Sequence, residues 1–162
     1  MHKKVEPKFG VITVSTSRYK ALCLGEEVRD ESGTFLRNEL KAKCYTIVPD
    51  NREMIKGAID FFIDKFKVNC IVLTGGTGLE REDVTIETLK EMFEKELEGF
   101  KIIFQLLSYE EVRFRTILSR ATAGIYRKTL IYSLPGSLNA CKLGAKIIKE
   151  ESSHILGHVV KE

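Results

Sequence analysis

The sequence lacks any hydrophobic run long enough to cross a membrane, and it lacks a long run of charges of one sign. A transmembrane helix needs about 20 consecutive apolar residues, and the first residues also lack the apolar stretch of a secretion signal. The 26 basic and 23 acidic side chains are spread along the chain, which argues against an arm for nucleic acid. We therefore expect a cytoplasmic protein that binds neither membranes nor nucleic acids.

Common arrangements of reactive or metal-binding side chains are also missing. The cysteines have no Cys-x-x-Cys spacing, which favours buried reduced thiols over a disulfide or a metal site. These cysteines are Cys23, Cys44, Cys70 and Cys141. His154 and His158 lie four residues apart but have no evident third ligand, so a metal role is the less favoured interpretation of that pair. The Gly-x-Ser-x-Gly motif is absent, and we expect no nucleophilic serine.

Length and pattern together predict one domain. A chain of 162 residues with 43% hydrophobic and 30% charged residues is expected to bury about two-thirds of its unfolded surface around one core. No repeat or internal linker is visible. We therefore assign residues 1–8 to an N-terminal tail and residues 9–162 to the domain.

Short apolar segments alternate with helical patterns along the domain. Strands are predicted over residues 9–15, 44–48, 70–74, 121–126 and 129–134. A polar loop follows the first strand. Helices are predicted over residues 34–42, 52–66, 85–97, 138 to about 150, and 153–160, and Ser32 is the expected cap of the first of them. The segment 100–115 is expected to be less regular but mostly helical. This alternation predicts an α/β fold, a single three-layer α/β/α domain with a mostly parallel, mixed central sheet.

The loop Thr74-Gly75-Gly76-Thr77-Gly78 follows a predicted buried strand. Ligands of such sheets bind at the carboxyl ends of the strands. Three glycines allow positive φ angles that turn backbone N–H groups toward a phosphate. The loop matches neither the Walker nor the Rossmann spacing, and a purely structural turn is an alternative of similar weight.

Two acids and a second loop strengthen the functional interpretation. Asp83 precedes the helix that starts near Thr85, where it either caps that helix or presents a carboxylate beside the glycines. Asp50 follows Pro49 at the end of the preceding strand, and two such carboxylates suit Mg²⁺, which prefers oxygen ligands. Pro135-Gly136-Ser137 opens the closing helix, so it is a second candidate anion site with Ser137 as the cap.

Together these segments resemble a known family. The motifs, in chain order, are Gly10 to Ser15, Asp30-Glu31-Ser32-Gly33, Val48-Pro49-Asp50, Thr74 to Gly78, Asp83-Val84-Thr85, Leu107 to Glu111, Leu118 to Ala121, and Leu134 to Ser137. They resemble the molybdenum cofactor biosynthesis proteins B and Mog, which share their domain with the N-terminal domain of gephyrin. The segments 107–111 and 118–121 look more like the protein B subgroup.

The resemblance implies a molybdopterin adenylyltransferase, which transfers AMP from Mg-ATP to the phosphate of molybdopterin and releases pyrophosphate. It implies that Asp50 and Asp83 are catalytic and bind Mg²⁺, and it implies a homotrimer or homohexamer, with other proteins of the pathway as further partners. The implied nucleotide-binding residues are Gly75, Gly76, Thr77 and Gly78. The implied residues around the pterin phosphate are Ser15, Ser108, Ser119, Pro135, Gly136 and Ser137.

The chain departs from the family pattern next to the second acid. Relatives commonly have arginine at the position of Glu82, and here Arg81 lies one place earlier. Thr16, Arg113 and Leu138 also replace the more frequent aspartate, glycine and proline. A non-catalytic molybdopterin-binding or scaffold protein is therefore the alternative to an enzyme, and a regulatory nucleotide-binding module is a third possibility.

Overall fold

The computed structural model describes residues 3–160. Residues 1, 2, 161 and 162, which belong to the predicted tail and to the predicted domain end, lie outside the described residues. The strands are Phe9–Val14 (β1), Cys44–Val48 (β2), Cys70–Thr74 (β3), Lys95–Glu96 (β4), Thr122–Tyr126 (β5) and Thr129–Leu134 (β6). The α-helices are Thr16–Cys23 (α1), Glu31–Leu40 (α2), Arg52–Phe66 (α3), Thr85–Met92 (α4), Glu98–Val112 (α5) and Leu138–Val159 (α6), and Arg113–Leu118 forms a 3₁₀ helix.

The strands form one mixed sheet in the order β2-β1-β3-β6-β5-β4. β2, β1, β3 and β6 run parallel, while β5 is antiparallel to both β6 and β4. Val14 pairs with Val48, and Thr74 pairs with both Thr13 and Leu134. The four parallel strands therefore end at the same edge of the sheet, and the predicted mostly parallel α/β fold is confirmed.

Helices cover both faces of this sheet. α2, α5 and α6 pack on one face, where Leu36, Val72 and Tyr132 belong to one buried cluster. α3 packs on the other face and against α4, and Ile59 and Ile71 belong to the second buried cluster. Because side chains on both faces of the sheet are buried, the sequences of these strands are continuous hydrophobic runs. Among residues 3–160, no helix is long and apolar enough to cross a membrane.

The region after β1 differs from the predicted polar loop, because it contains α1. No residue of α1 is buried, so the amphipathic pattern on which helix prediction depends is absent. Ser15 ends the strand early and caps α1, accepting a hydrogen bond from Arg18 N at 3.3 Å. The next helix starts at Glu31 rather than at residue 34, and its cap is Asp30 rather than Ser32, with Gly33 N donating to Asp30 Oδ1 at 3.1 Å.

The helix predicted over residues 85–97 is too long. α4 ends at Met92, and Phe93 is extended and packs over Gly124, where the phenyl ring occupies the space that a Cβ would need. This contact brings Lys95–Glu96 alongside β5, where the pair forms the edge strand β4. An aromatic contact with a distant glycine overrides the local helical pattern.

The predicted interruption between the last two helices is also wrong, since residues 138–159 form one helix. Ser152, near the predicted break, is fully buried in α6, where its hydroxyl bonds to Ile148 O and to the Tyr132 hydroxyl. A serine whose hydroxyl makes these hydrogen bonds does not interrupt a helix. The segment predicted to be irregular at 100–115 is regular up to Val112, where α5 gives way to the 3₁₀ helix.

Candidate functional site

The glycine loop after β3 lies at the carboxyl edge of the parallel strands. Gly75 and Gly76 have φ angles of 99° and 69°, a region that side chains with a Cβ rarely enter. A Cβ on Gly75 would collide with the carbonyl oxygen of Val14. Thr85 fastens the loop to α4, because its hydroxyl donates to Gly75 O at 3.0 Å and its N–H donates to Gly76 O at 3.1 Å.

Asp50 reaches this loop from the end of β2. Its Oδ2 accepts a 2.7 Å hydrogen bond from the Thr16 hydroxyl, and its own N–H donates to that hydroxyl at 3.0 Å. Thr16 therefore holds both the backbone and the carboxylate of Asp50. A Cβ on Gly76 would lie 2.9 Å from Asp50 Oδ1, so this oxygen adjoins the middle of the loop.

Asp83 lies beside the last residue of the loop, Gly78. It does not cap α4, because Val84 occupies the N-cap position without a side-chain hydrogen bond. Asp83 Oδ2 instead accepts a hydrogen bond from the N–H of Glu80 at 3.1 Å, and a Cβ on Gly78 would lie 2.6 Å from the same oxygen. Asp83 thus closes the turn after the loop and keeps its carboxylate beside Gly78.

The two carboxylates supply oxygen ligands of the kind that Mg²⁺ prefers, but two of them do not complete its coordination. Mg²⁺ is usually held by one or two acids together with phosphate oxygens and water. Throughout residues 3–160, no group of three or more histidine, cysteine, aspartate or glutamate side chains is arranged to hold a metal. A Mg²⁺ ion bound by Asp50 and Asp83 would therefore need oxygens from the substrate and from water.

The second predicted anion loop, Pro135-Gly136-Ser137, packs beside the first. The Thr74 hydroxyl donates to Pro135 O at 3.0 Å, and a Cβ on Gly136 would lie 3.4 Å from the Cα atom of Gly75. The Ser32 hydroxyl donates to Gly136 O at 2.8 Å from the other side. Ser137 caps α6 as predicted, accepting from Ala140 N at 3.2 Å, so the N-terminus of a 22-residue helix faces this edge.

The remaining predicted residues lie in different surroundings. Ser15 is the cap of α1 at the end of β1, at the same sheet edge as the two loops. Ser108 is buried within α5. Ser119 follows the 3₁₀ helix and lines a cavity of about 180 Å³ with Gln105, whose side chain donates to Ser119 O at 3.1 Å.

Arg120 is a residue of this site that sequence reasoning missed. Its guanidinium donates to Thr77 O and to Gly78 O, both at 2.8 Å. It also forms an ion pair with Glu87 of α4 at 2.6 Å, and that bond lowers the pKa of Glu87. Arg120 thus connects the glycine loop to both α4 and the start of β5. The only feature of the sequence that pointed to Arg120 was its place in the segment 118–121.

The cysteines are free thiols, but only two of them have the predicted burial. Cys70 and Cys141 are buried, whereas Cys44 is half-buried and Cys23 is exposed. Cys141 lies beneath the second loop, with its sulfur 3.1 Å from the Thr74 hydroxyl, and burial raises the pKa of its thiol. A neutral, buried thiol is a poor nucleophile.

The chain has close relatives among known proteins. It is 60% identical over 160 residues to a protein of Methanocaldococcus jannaschii named probable molybdopterin adenylyltransferase, covering 98% of both chains. It is 39% identical over 153 residues to molybdenum cofactor biosynthesis protein B of Staphylococcus carnosus, covering 93% of this chain and 89% of that one. The crystal structure of the tungsten cofactor synthesizing protein MoaB from Pyrococcus furiosus matches with a TM-score of 0.86 at 45% identity, covering 96% of this chain and 98% of that one.

The family match spans nearly the whole domain. Residues 10–154 match the family described as a probable molybdopterin binding domain. This range includes both loops and both acids of the site. The chain therefore belongs to the molybdopterin-binding family of molybdenum cofactor biosynthesis proteins.

Proposed function

We propose that this protein transfers AMP from Mg-ATP to the phosphate of molybdopterin. The observation that carries the proposal is the glycine loop with two carboxylates beside it, Asp50 at its middle next to Gly76 and Asp83 at its end next to Gly78. The names of the relatives support the same reaction. In that reaction an oxygen of the pterin phosphate attacks the α-phosphorus of ATP, and the bond to the departing pyrophosphate breaks.

The side chains and backbone of the site would position the two substrates and offset the negative charge of their phosphates. The glycine loop would lie along the nucleotide phosphates, and the loop Pro135–Ser137 with the α6 N-terminus would receive the pterin phosphate. Ser15, Ser108 and Ser119 are proposed as further contacts of that phosphate. Mg²⁺, when bound between the substrates and the two aspartates, would neutralise charge on the phosphate oxygens.

A scaffold that binds molybdopterin without reacting is the second candidate. Glu82 favours it, because this exposed acid stands beside Asp83 and would repel nucleotide phosphates. The two functions can be distinguished by incubating the protein with Mg-ATP and molybdopterin and analysing the products. We expect pyrophosphate and an AMP-linked pterin; pterin binding without either product would support the scaffold, and ATP binding without pterin affinity would support a nucleotide-binding regulator.

Arg120→Ala is expected to lower kcat/KM about tenfold, with most of the change in KM for ATP. The substitution removes the donors that hold the carbonyl groups of Thr77 and Gly78, so the loop loses part of its preorganised shape. Steady-state kinetics with ATP as the varied substrate measure the effect.

Arg127→Ala is the matched control for this prediction. Arg127 also forms carboxylate pairs, with Asp60 at 3.0 Å and Asp64 at 2.7 Å, but it lies in the turn between β5 and β6. We expect the control to keep its KM for ATP. Equal changes in both variants would mean that Arg120 acts only through general stability.

We further propose that the chain forms a homotrimer or homohexamer through α5 and the 3₁₀ helix. Phe114 and Ile117 are more than 70% exposed, and large apolar side chains are exposed all along this segment. The others are Ile102, Ile103, Leu106, Leu107, Val112 and Leu118. An apolar surface of this extent on one segment is typical of an interface, and several copies of the chain can bury it against one another around a rotation axis.

Ile117→Asp is expected to reduce the assembly to monomers, because it places a charge in the proposed apolar contact. Size-exclusion chromatography with light scattering measures the mass. Leu24→Glu is the control, since Leu24 is 75% exposed but follows α1 rather than α5. A wild-type chain that is monomeric, or an Ile117→Asp variant of unchanged mass, would contradict this interface.

A further inference from the structure

His154 and His158 form a pair in the last turns of α6, far from the proposed catalytic site. Both side chains are exposed, and their rings are 5.0 Å apart between centroids. At 1.5 Å of rise per residue, the pair lies about 28 Å along the helix from Ser137. Within one chain, the pair is therefore well separated from the proposed catalytic site at the carboxyl edge of the sheet.

The two rings bring corresponding nitrogen atoms together. His154 Nε2 and His158 Nε2 are 3.3 Å apart. Two nitrogens bound to a tetrahedral Zn²⁺ at about 2.0–2.1 Å would be about 3.3–3.4 Å apart. The side chains therefore already have the separation that a shared zinc ion requires.

Glu151 favours the tautomer that metal binding needs. Its Oε2 lies 3.5 Å from His154 Nδ1. A carboxylate at this nitrogen favours a proton on Nδ1, which leaves the lone pair on Nε2 available to a metal. Without a metal, an N–H group of one histidine would occupy the gap by donating to the other.

We propose that His154 and His158 bind one divalent transition-metal ion of the zinc class through their Nε2 atoms, with Glu151 orienting His154. Imidazole nitrogen suits zinc, nickel and copper better than magnesium. Water can reach the metal, because both side chains are exposed. Within residues 3–160 the site uses these two nitrogen ligands, and it is distinct from the two aspartates.

The metal would stabilise the end of α6 and what is packed on it. Gly157, between the two histidines and within the same turn, contacts the backbone of the N-terminal segment, since a Cβ there would collide with Lys3 O. Val5 N also donates to Ser153 O at 3.2 Å. A chelate across one turn would hold this helix end in the conformation that receives residues 3–5.

Isothermal titration of the full chain with zinc sulfate tests the site. We expect one zinc per chain, and we expect His158→Gln to weaken binding at least about tenfold because the chelate is lost. Zinc should also raise the Tm of the wild-type chain but not that of the double variant His154→Gln/His158→Gln. The remaining histidine of the sequence, His2, is kept in every variant.

A matched pair of charge changes tests the role of Glu151. Glu151→Gln should weaken zinc binding about tenfold. Glu150→Gln removes the same charge from the neighbouring position, which lines a groove with Phe35 and Lys146 instead, and should leave zinc affinity unchanged. No zinc binding by the wild-type chain at millimolar concentration, or equal affinity in the double histidine variant, would overturn the proposal.

Discussion

Replacement of Asp83 by asparagine is expected to lower the rate of AMP transfer about 10²-fold or more while the chain stays folded. Asparagine keeps the size of the side chain and an oxygen that can accept from Glu80 N, so the turn after the glycine loop is retained. It removes the negative charge beside Gly78, on which the proposed cation and phosphate positioning depends. Single-turnover measurement of AMP-linked pterin gives the rate.

Glu82→Gln is the control for this experiment. It removes the same charge one residue earlier, where the side chain is exposed. Its turnover should not fall, and its affinity for ATP should rise if Glu82 repels the phosphates. A wild-type rate in Asp83→Asn would remove Asp83 from the mechanism, whereas loss of the folded state, seen by circular dichroism, would assign it a structural role.

Gly75→Ala is expected to reduce the free energy of unfolding by more than about 2 kcal/mol and to abolish most activity. The φ angle of 99° is strained for alanine, and the added Cβ would collide with Val14 O. Because that carbonyl belongs to a buried strand, the loop rather than β1 must move. Denaturant unfolding and the AMP-transfer assay together measure both effects.

Gly57→Ala is the matched control, since nothing lies within 4 Å of a Cβ at this position in α3. Alanine is favoured over glycine in a helix by about 0.5–1 kcal/mol, so this variant should be slightly more stable. A Gly75→Ala variant as stable as the wild type would contradict this prediction, because it would mean that the loop can change its conformation at little cost in free energy.

The elements that could be predicted from the sequence are those whose local pattern agrees with their packing. The bounds of α3 are predicted to the residue, because Ile55, Ile59 and Phe62 repeat at helical spacing and are buried. Phe66 belongs to the same stripe but is 42% exposed, since it lies at the end of the helix. Elements decided by distant contacts, such as β4 beside β5, could not be recognised from local pattern.

The site shows the same division. The roles of Asp50, Asp83 and the glycine loop stay predictions, but their placement at one edge of the sheet could be predicted, because each follows a strand or precedes a helix and parallel strands end at one edge. Their contacts could not, because Thr16 and Arg120 reach them from segments that are 34 or more residues away in the chain. A single sequence carries no direct record of such pairings.

The edge strand β4 has only two residues, and this shortness limits how copies of the protein can meet. A long open strand offers its backbone to other chains and so promotes fibrous aggregation, whereas a very short one gives too few hydrogen bonds to recruit another strand. At this side of the sheet, concentrated protein should therefore resist β-mediated polymerisation. Self-association through this side would then depend on contacts between side chains, which can end in closed rings of defined size.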